Sequence, residues 1–396
     1  MTKKPVGDRL VHDKIVAWTC DRLPTEVTQQ AKRLADLEDT FRVALMPDVH
    51  AGQQVPNGCV LATKSRIYPD AVGRDIGCGL SAICFDNPID SIPQSILVGI
   101  LDHMGRLVPS LKQPRGAVQT KLPEACSADQ LVDPFLMREA NRDGLLQLGT
   151  LGRGNHFIEL ELDEANRLWA LVHSGSRSMG QKISDRYLRE HQTEVESMSS
   201  NPIPSGDTMS YLDLECEMGQ AYLSDMNWGI RYATENRMLM LNRVADLVEE
   251  HLGLAAVESS YIDSPHNFAR IEEHHGERLI VHRKSANSAV DGELGIIPGS
   301  MAAGSRIVIG RGEAMSLRSS SHGAGRKMSR TQAWEKLQIK QFKSLMGSIV
   351  FRKDQADKFL DESPDAYRNL NEVMQSQRDL VSTRHILKTI LNYKTY

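Results

Sequence analysis

Five histidines lie beside short or turn-forming residues, and they are the first candidates for chemistry in this chain of 396 residues. Imidazole is largely neutral near pH 7 and can serve as a metal ligand, a general base or a nucleophile. Any one of them, taken alone, would be an ordinary surface or core histidine. Together they indicate a site, and they are His50, His156, His173, His266 and His322.

A carboxylate and a thiol lie close together at Asp75 and Cys78, with a glycine on each side of the cysteine. The glycines let both side chains turn toward one point, and a thiolate can bridge two divalent ions. The spacing alone fits many turns. With imidazoles from His156, His173 and His266 it becomes a mixed oxygen, sulfur and nitrogen site typical of a first-row transition metal, for which intrinsic affinity favours zinc or copper over manganese.

The segment SSSHGAGRK at 319–327 has a different character. Its small residues would let backbone N–H groups approach a phosphate, and Arg326 would neutralise phosphate charge with a planar fork. His322 could then act as a nucleophile that forms a covalent intermediate. A flexible serine and glycine loop is the alternative. No Walker A sequence and no GxGxxG after a strand occurs, which argues against ordinary NTPase and dinucleotide folds.

The composition limits the function classes. With 47 Lys+Arg against 51 Asp+Glu the net charge is −4, which excludes a globally basic nucleic-acid binder and leaves room for a local basic cleft. Six scattered cysteines without a CxxC pair indicate neither a disulfide framework nor a zinc ribbon. The N-terminus is charged, and no stretch reaches the ~18 apolar residues of a membrane span, so we expect a cytoplasmic protein without membrane contact.

Short strands broken by glycine, mixed with helices, predict an α+β fold rather than a regular βαβ succession. A hairpin is expected at 156–162 and 168–173, with a histidine at each outer end. A polar helical tail is expected from about Thr331 onward. The other predicted strands are 41–46, 58–63, 80–84, 279–282 and 306–309.

A long amphipathic helix is predicted between residues 226 and 247, because apolar residues recur there at three- and four-residue intervals. Arg237 falls on the apolar stripe, four residues after Ala233 and three before Met240. Its charge either snorkels to the edge of the stripe or is committed to a partner, and we expect the first.

The motifs in combination resemble the RtcB family of RNA ligases. The resemblance runs from about residue 40 to the C-terminus in the family's order. It is carried by MPDVH at 46–50, VGRDIGCG at 72–79, LGTLGRGNHFIE at 148–159, HSGSR at 173–177, PGSM at 298–301 and SHGAGR at 321–326.

The resemblance implies GTP-dependent joining of RNA 3′-phosphate or 2′,3′-cyclic phosphate ends to 5′-hydroxyl ends, with two Mn²⁺ ions. It implies that His322 carries GMP, and that Asp48, Arg177 and Arg326 assist it, the arginines by holding the anionic backbone. The implied metal ligands are Asp75, Cys78, His156, His173 and His266, with Cys78 between the ions. The implied nucleotide contacts are Asn155, Phe157, Glu159, Pro298, Gly299, Ser300, Met301, His322, Gly323, Ala324, Gly325 and Lys394.

The resemblance also implies one large domain over residues 1–396, with mixed and antiparallel sheets at the centre and helices outside. We expect a monomer that acts in RNA repair or tRNA splicing, with a helper or release-factor-like protein as a further partner. The departures from the family pattern spare the implied metal ligands and suggest a divergent bacterial-type member. They lie at Gln53, Gln54, Leu80, Ser178 and Ser285.

Two other functions are compatible with the same residues. A metal-dependent RNA cyclic phosphodiesterase would use the Asp, Cys and His cluster without ligation, and His322 would then be an ordinary phosphate contact. A non-enzymatic RNA- or ribosome-binding factor would hold a structural metal. An open site of mixed ligands counts against the second, because structural sites tend to be closed by four tight ligands.

Overall fold

The computed structural model describes residues 12–198 and 209–396, and within them the chain has the predicted α+β architecture. Most strands are short and paired with antiparallel neighbours. The strands are β1 (Ile15–Ala17), β2 (Thr40–His50), β3 (Asn57–Thr63), β4 (Arg66–Ile67), β5 (Gly79–Cys84), β6 (Phe157–Leu162), β7 (Leu168–Ser174), β8 (Leu212–Asp213), β9 (Ile262–Pro265), β10 (Asn267–His274), β11 (Glu277–Lys284), β12 (Ala286–Ser288), β13 (Leu294–Pro298), β14 (Ser305–Gly310), β15 (Ser319–Ser321), β16 (Val381–Ile386) and β17 (Lys388–Tyr393).

The helices vary from one turn to the 36 residues of the longest. None of those in the described residues combines the length and apolarity of a membrane span. The α-helices are α1 (Thr25–Asp36), α2 (Pro69–Val72), α3 (Gln94–Leu107), α4 (Pro134–Glu139), α5 (Leu145–Gln147), α6 (Ser178–Met198), α7 (Glu217–Leu252), α8 (Arg330–Lys336), α9 (Ile339–Met346) and α10 (Leu370–Ser376).

Two five-stranded sheets carry the fold. One has the order β1-β2-β3-β11-β10 and the other has the order β17-β6-β7-β5-β9. Apart from the parallel pair β1 and β2, the named strands pair antiparallel, as predicted. A three-stranded sheet, β13-β14-β16, and two small ribbons, β12-β15 and β4-β8, complete the strand pairing.

The hairpin expected from the sequence is confirmed as β6 and β7, whose register pairs Phe157 with His173 and Leu162 with Leu168. The polar helical tail is confirmed only in part. It contains α8, α9 and α10, but the chain then returns to strands β16 and β17. Strand β17 contains Thr, Ile, Leu and Tyr, which are residue types that favour strands. It pairs with β6, whose paired residues lie more than 220 positions earlier in the sequence. Such long-range pairing overrides a local helical expectation.

The long helix α7 is confirmed, and it packs against β5 and β7 of the second sheet and against α3 and α6. The expectation for Arg237 is wrong, because its side chain is fully buried and does not reach the edge of the stripe. Its guanidinium pairs with Asp263 at 2.8 Å. It also donates to the backbone carbonyls of Gly77 at 2.7 Å and Ser174 at 2.9 Å. A planar five-donor group suits such a position better than any apolar side chain of the stripe.

Replacing Arg237 with methionine should destabilise the protein by about 3–5 kcal/mol, because Asp263 and two buried carbonyls lose their partner. Chemical denaturation followed by circular dichroism measures this. Arg231→Met, at an exposed position of the same helix, should cost under about 1 kcal/mol. Equal midpoints for the two variants would contradict the structural role of Arg237.

Candidate active site

Four of the residues implied as metal ligands lie at the same end of the second sheet. Cys78 immediately precedes β5, and His156 immediately precedes β6. His173 is the second-last residue of β7, and His266 immediately follows β9. The register makes these positions neighbours, because Gly79 of β5 pairs with both Ser174 and Pro265. Each of these antiparallel strands therefore places one candidate ligand at this end of the sheet. The ligand lies at the start of β5 and β6 and at the end of β7 and β9.

The candidate ligands form two groups that share Cys78. One group is Asp75, Cys78 and His156, and the other is Cys78, His173 and His266. Within each group the donor atoms lie within 4.8 Å of one another. The Cys78 sulfur is 3.5 Å from Nε2 of His156 and 3.4 Å from Nε2 of His173. The geometry thus provides two adjacent three-ligand sites with a common sulfur.

Backbone carbonyls fix the orientation of two of these imidazoles. Nδ1 of His156 lies 2.8 Å from the Leu151 carbonyl, and Nδ1 of His173 lies 3.2 Å from the Asn155 carbonyl. A carbonyl only accepts, so we assign the ring proton to Nδ1 in both, which leaves the Nε2 lone pair facing the sulfur. Burial also lowers the pKa of His173 well below its usual value. The neutral, oriented imidazole is the form that binds a metal.

The cluster contains buried polar atoms that the protein itself does not satisfy. Oδ1 of Asp75 and Nδ1 of His266 are buried and have no hydrogen-bond partner. Burial raises the pKa of the Cys78 thiol well above its usual value, and the nearby Asp75 raises it further. Unpaired buried polar atoms are costly. The donor set of carboxylate, thiol and imidazole fits divalent transition-metal ions, whose charge would stabilise the thiolate.

His322 is held by a buried carboxylate from the other large sheet. Oδ2 of Asp48, on β2, accepts from Nδ1 of His322 at 2.6 Å and from the His322 backbone N–H at 3.1 Å. The proton on Nδ1 leaves Nε2 with the lone pair of a nucleophile or base. The loop packs tightly, because a Cβ on Gly325, whose φ is +70°, would lie 2.4 Å from the Asp48 carbonyl oxygen. The His322 ring also lies against His266, with centroids 4.9 Å apart.

A cavity of about 910 Å³ opens beside His322 and His173. Its walls bring together residues that are far apart in the sequence, and it is large enough for a nucleotide. Its lining includes every residue that the resemblance implies as a nucleotide contact, namely Asn155, Phe157, Glu159, Pro298, Gly299, Ser300, Met301, His322, Gly323, Ala324, Gly325 and Lys394.

The other predicted catalytic residues occupy less open positions. Arg326 lines the cavity, but its guanidinium bonds to Glu362, to the Tyr367 hydroxyl and to backbone carbonyls. Arg177 is half-buried, has a φ of +57°, and donates to the Thr150 hydroxyl at 3.3 Å. Asp48 is fully buried behind His322. The arginines therefore brace the site as folded here, and their role toward an anion stays a prediction.

Glu362 is a cavity residue that sequence reasoning missed. Its buried carboxylate accepts from Lys394 at 3.1 Å, from the Tyr367 hydroxyl at 2.9 Å, from Arg326 at 3.3 Å and from Arg330 at 2.5 Å. It lies in the 3-10 helix Lys353–Glu362, outside any motif. An acidic residue in a polar stretch gives no local signal of burial. Only the strand pairing that brings Lys394 to it reveals its role.

Comparison with known proteins gives a consistent result. A family model described as tRNA-splicing ligase RtcB matches residues 30–133 and 121–395. The chain is 35% identical to the RNA-splicing ligase RtcB of Escherichia coli K12, over 95% of this chain and 96% of that protein. It is 28% identical to the tRNA-splicing ligase RtcB of Thermococcus kodakarensis, over 88% of this chain and 86% of that protein.

Glu362 should make stability depend on pH below 5. Burial opposes its ionisation, but Lys394, Arg330 and Arg326 outweigh burial and lower its pKa from 4.5 to about 2. The ionised group therefore stabilises the fold fully above about pH 4.5, and this contribution is lost as the pH falls toward 2.

Glu362→Gln should cost about 3 kcal/mol at pH 7, and its deficit relative to the unmodified protein should shrink between pH 5 and pH 2. Urea midpoints across this range provide the measurement. Glu335→Gln, at an exposed position, serves as the matched control and should follow the unmodified protein. A deficit that stays constant with pH would show that Glu362 is not the titrating group.

Proposed function

The chain belongs to the RtcB family of RNA ligases, and we propose that it uses GTP and Mn²⁺ to join RNA 3′-phosphate or 2′,3′-cyclic phosphate ends to 5′-hydroxyl ends. The reaction would serve RNA repair or tRNA splicing in the cytoplasm. A single catalytic domain over residues 1–396 and a monomeric state, assisted by a helper or release-factor-like protein, belong to the same proposal.

The observation that carries the proposal is the position of His322. Its ring is oriented by Asp48, borders the cavity and lies against His266 of the candidate metal cluster. In the first step Nε2 would attack the α-phosphate of GTP, forming a phosphorus–nitrogen bond as the bond to pyrophosphate breaks. Asp48 would stabilise the positive charge that develops on the ring, as a buried carboxylate does for a catalytic histidine.

The cavity chemistry suits a guanine nucleotide. Burial and the neighbouring Glu161 raise the pKa of Glu159 well above its usual value. The edge of guanine offers two N–H donors. Hydrogen bonds from these donors would stabilise the ionised form of the Glu159 carboxylate, which burial disfavours in the protein alone. Lys394 lies 3.1 Å from the His156 carbonyl and faces the ring of Phe157, at 5.7 Å from its centroid. The small residues at 298–301 and 323–325 would let backbone N–H groups approach phosphates.

Asp75, Cys78, His156, His173 and His266 would hold the two metal ions. When bound, the ions would neutralise phosphate charge and polarise the reacting phosphate. A cyclic end would first be opened by hydrolysis. GMP would then pass from His322 to the RNA 3′-phosphate, and the 5′-hydroxyl of the second RNA would displace GMP as the phosphodiester forms. The mixed anhydride formed between GMP and the RNA 3′-phosphate provides GMP as a leaving group, which a bare phosphate lacks.

Incubation with α-labelled GTP and Mn²⁺ should label the protein with an acid-labile, alkali-stable GMP adduct. His322→Ala should abolish the label, because it removes the Nε2 atom that would form the bond to phosphorus. His275→Ala, at an exposed histidine that does not line the cavity, should keep it. Ligation of a defined 3′-phosphate and 5′-hydroxyl RNA pair should follow the same pattern.

The same assay distinguishes the competing activity. If the metal-loaded protein forms no adduct but hydrolyses 2′,3′-cyclic phosphate ends, ligation is rejected in favour of the phosphodiesterase. A protein that binds RNA and catalyses neither reaction would be a binding factor.

Cys78→Ser should reduce the bound metal and abolish ligation, because a hydroxyl is a much poorer ligand than a thiolate. Metal content after equilibrium dialysis against Mn²⁺ measures the first effect. Cys126→Ser is the matched control, since Cys126 is buried outside the cluster. Retention of both ions and of ligation in Cys78→Ser would refute the bridging role.

A further inference from the structure

The segment 327–346 is strongly basic although the whole chain has a net charge of −4. It contains five basic residues against one acidic residue, which gives a local net charge of +4 over 20 residues. The segment comprises the approach to α8, both short helices α8 and α9, and the link between them.

The segment is continuous with the cavity. Lys327, Met328, Ser329, Arg330 and Gln332 all line the cavity. Beyond them, Trp334, Lys336, Lys340 and Lys343 are exposed and do not line it. We refer to these last four residues as the basic ridge. It follows the cavity-lining residues along the chain, on α8 and α9.

The helices that carry the basic ridge are held in place by a capping box, ion pairs and apolar packing. A capping box formed by Ser329 and Gln332 begins α8, and Arg330 pairs with Asp361 and Glu362. Helix α9 buries Phe342 and Met346 in an apolar cluster. The two helices are therefore held in place by packing, and their exposed face is free for another purpose.

The exposed face of the ridge has no internal partner. Within residues 12–198 and 209–396, Lys336, Lys340 and Lys343 form no ion pair or side-chain hydrogen bond. Trp334 keeps 46% of its surface exposed, so its aromatic ring is accessible to a ligand. Unpaired cations and an exposed aromatic ring within one short segment are the residue types that bind single-stranded nucleic acid.

We propose that the basic ridge binds the single-stranded RNA that leads into the cavity. The three lysines contact successive phosphates, and a base stacks on Trp334. The proposal rests on the proposed function, because it assigns a path to the RNA whose end reacts at His322. A protein partner is less well matched, since lysine is depleted at the cores of protein interfaces whereas it is typical of phosphate contacts.

The test uses the full chain with Lys336, Lys340 and Lys343 changed together to glutamine. The control changes Lys32, Lys112 and Lys121, three exposed lysines that do not line the cavity, so both variants lose the same charge. The probe is a fluorescent single-stranded RNA with a 3′-phosphate, titrated at several salt concentrations. Formation of the GMP adduct, which needs no RNA, shows whether each variant is folded.

The ridge variant should bind the RNA at least about tenfold more weakly at low salt, and the slope of log affinity against log salt should fall by about 2, because three phosphate contacts are lost. Trp334→Ala should weaken binding without changing that slope. Adduct formation should be unaffected in all of them. The control variant should bind within about twofold of the unmodified protein.

Equal affinity and equal salt slope in the ridge and control variants would overturn the proposal, and would leave a protein partner as the remaining explanation for the exposed ridge. A different outcome would reject the proposed ligation chemistry. Absence of the GMP adduct in the unmodified protein, together with ridge-dependent RNA binding, would reject ligation while retaining the surface.

Discussion

The structure of the site depends on the register of one antiparallel sheet, and the buried guanidinium of Arg237 stabilises that register. The Arg237 side chain binds the carbonyl of Gly77, next to Cys78, and the carbonyl of Ser174, next to His173. It thus connects the turns that carry two ligands from different strands. A one-residue slip between β5 and β7 would turn these side chains to the opposite face of the sheet. The ion pair with Asp263, a residue of strand β9 that leads to His266, extends the same constraint to a third strand.

Charge compensation divides the site into two regions with different physical characters. Around Glu362 each charge has a partner, and this network supports Arg326, Lys394 and α8. Around Cys78 the compensation is incomplete, because Asp75 and His266 retain buried atoms without hydrogen bonds. A protein tolerates such unsatisfied groups when a ligand supplies the missing partner. The first region provides rigidity, and the second keeps donor atoms that a cation could satisfy.

The sequence contained most of the local information about the site and little of the long-range information. The glycines and short side chains around Cys78, His173 and His322 mark turns, and the structure places all three residues at one site. The sequence predicts the wrong environment for Arg237, because a stripe of apolar residues does not show whether a charge within it forms an ion pair with a distant residue such as Asp263. Strand β17 gave no signal because its partner β6 lies more than 220 residues earlier in the chain. Glu362 gave none because its cationic partners Lys394, Arg326 and Arg330 lie 32 to 36 residues away, beyond any local pattern. The net charge of −4 was equally uninformative about the basic segment 327–346.

The edge position of β17 has a consequence for synthesis of the protein. This strand covers the free edge of β6 and ends next to Lys394, one wall of the cavity. A nascent chain that has completed the loops carrying the candidate metal ligands still lacks this strand, so β6 remains an open edge able to pair with other chains. The ribosome must deliver residue 394 before the cavity closes. Until then the chain carries the candidate ligand cluster around Cys78 while the cavity still lacks the wall that Lys394 provides.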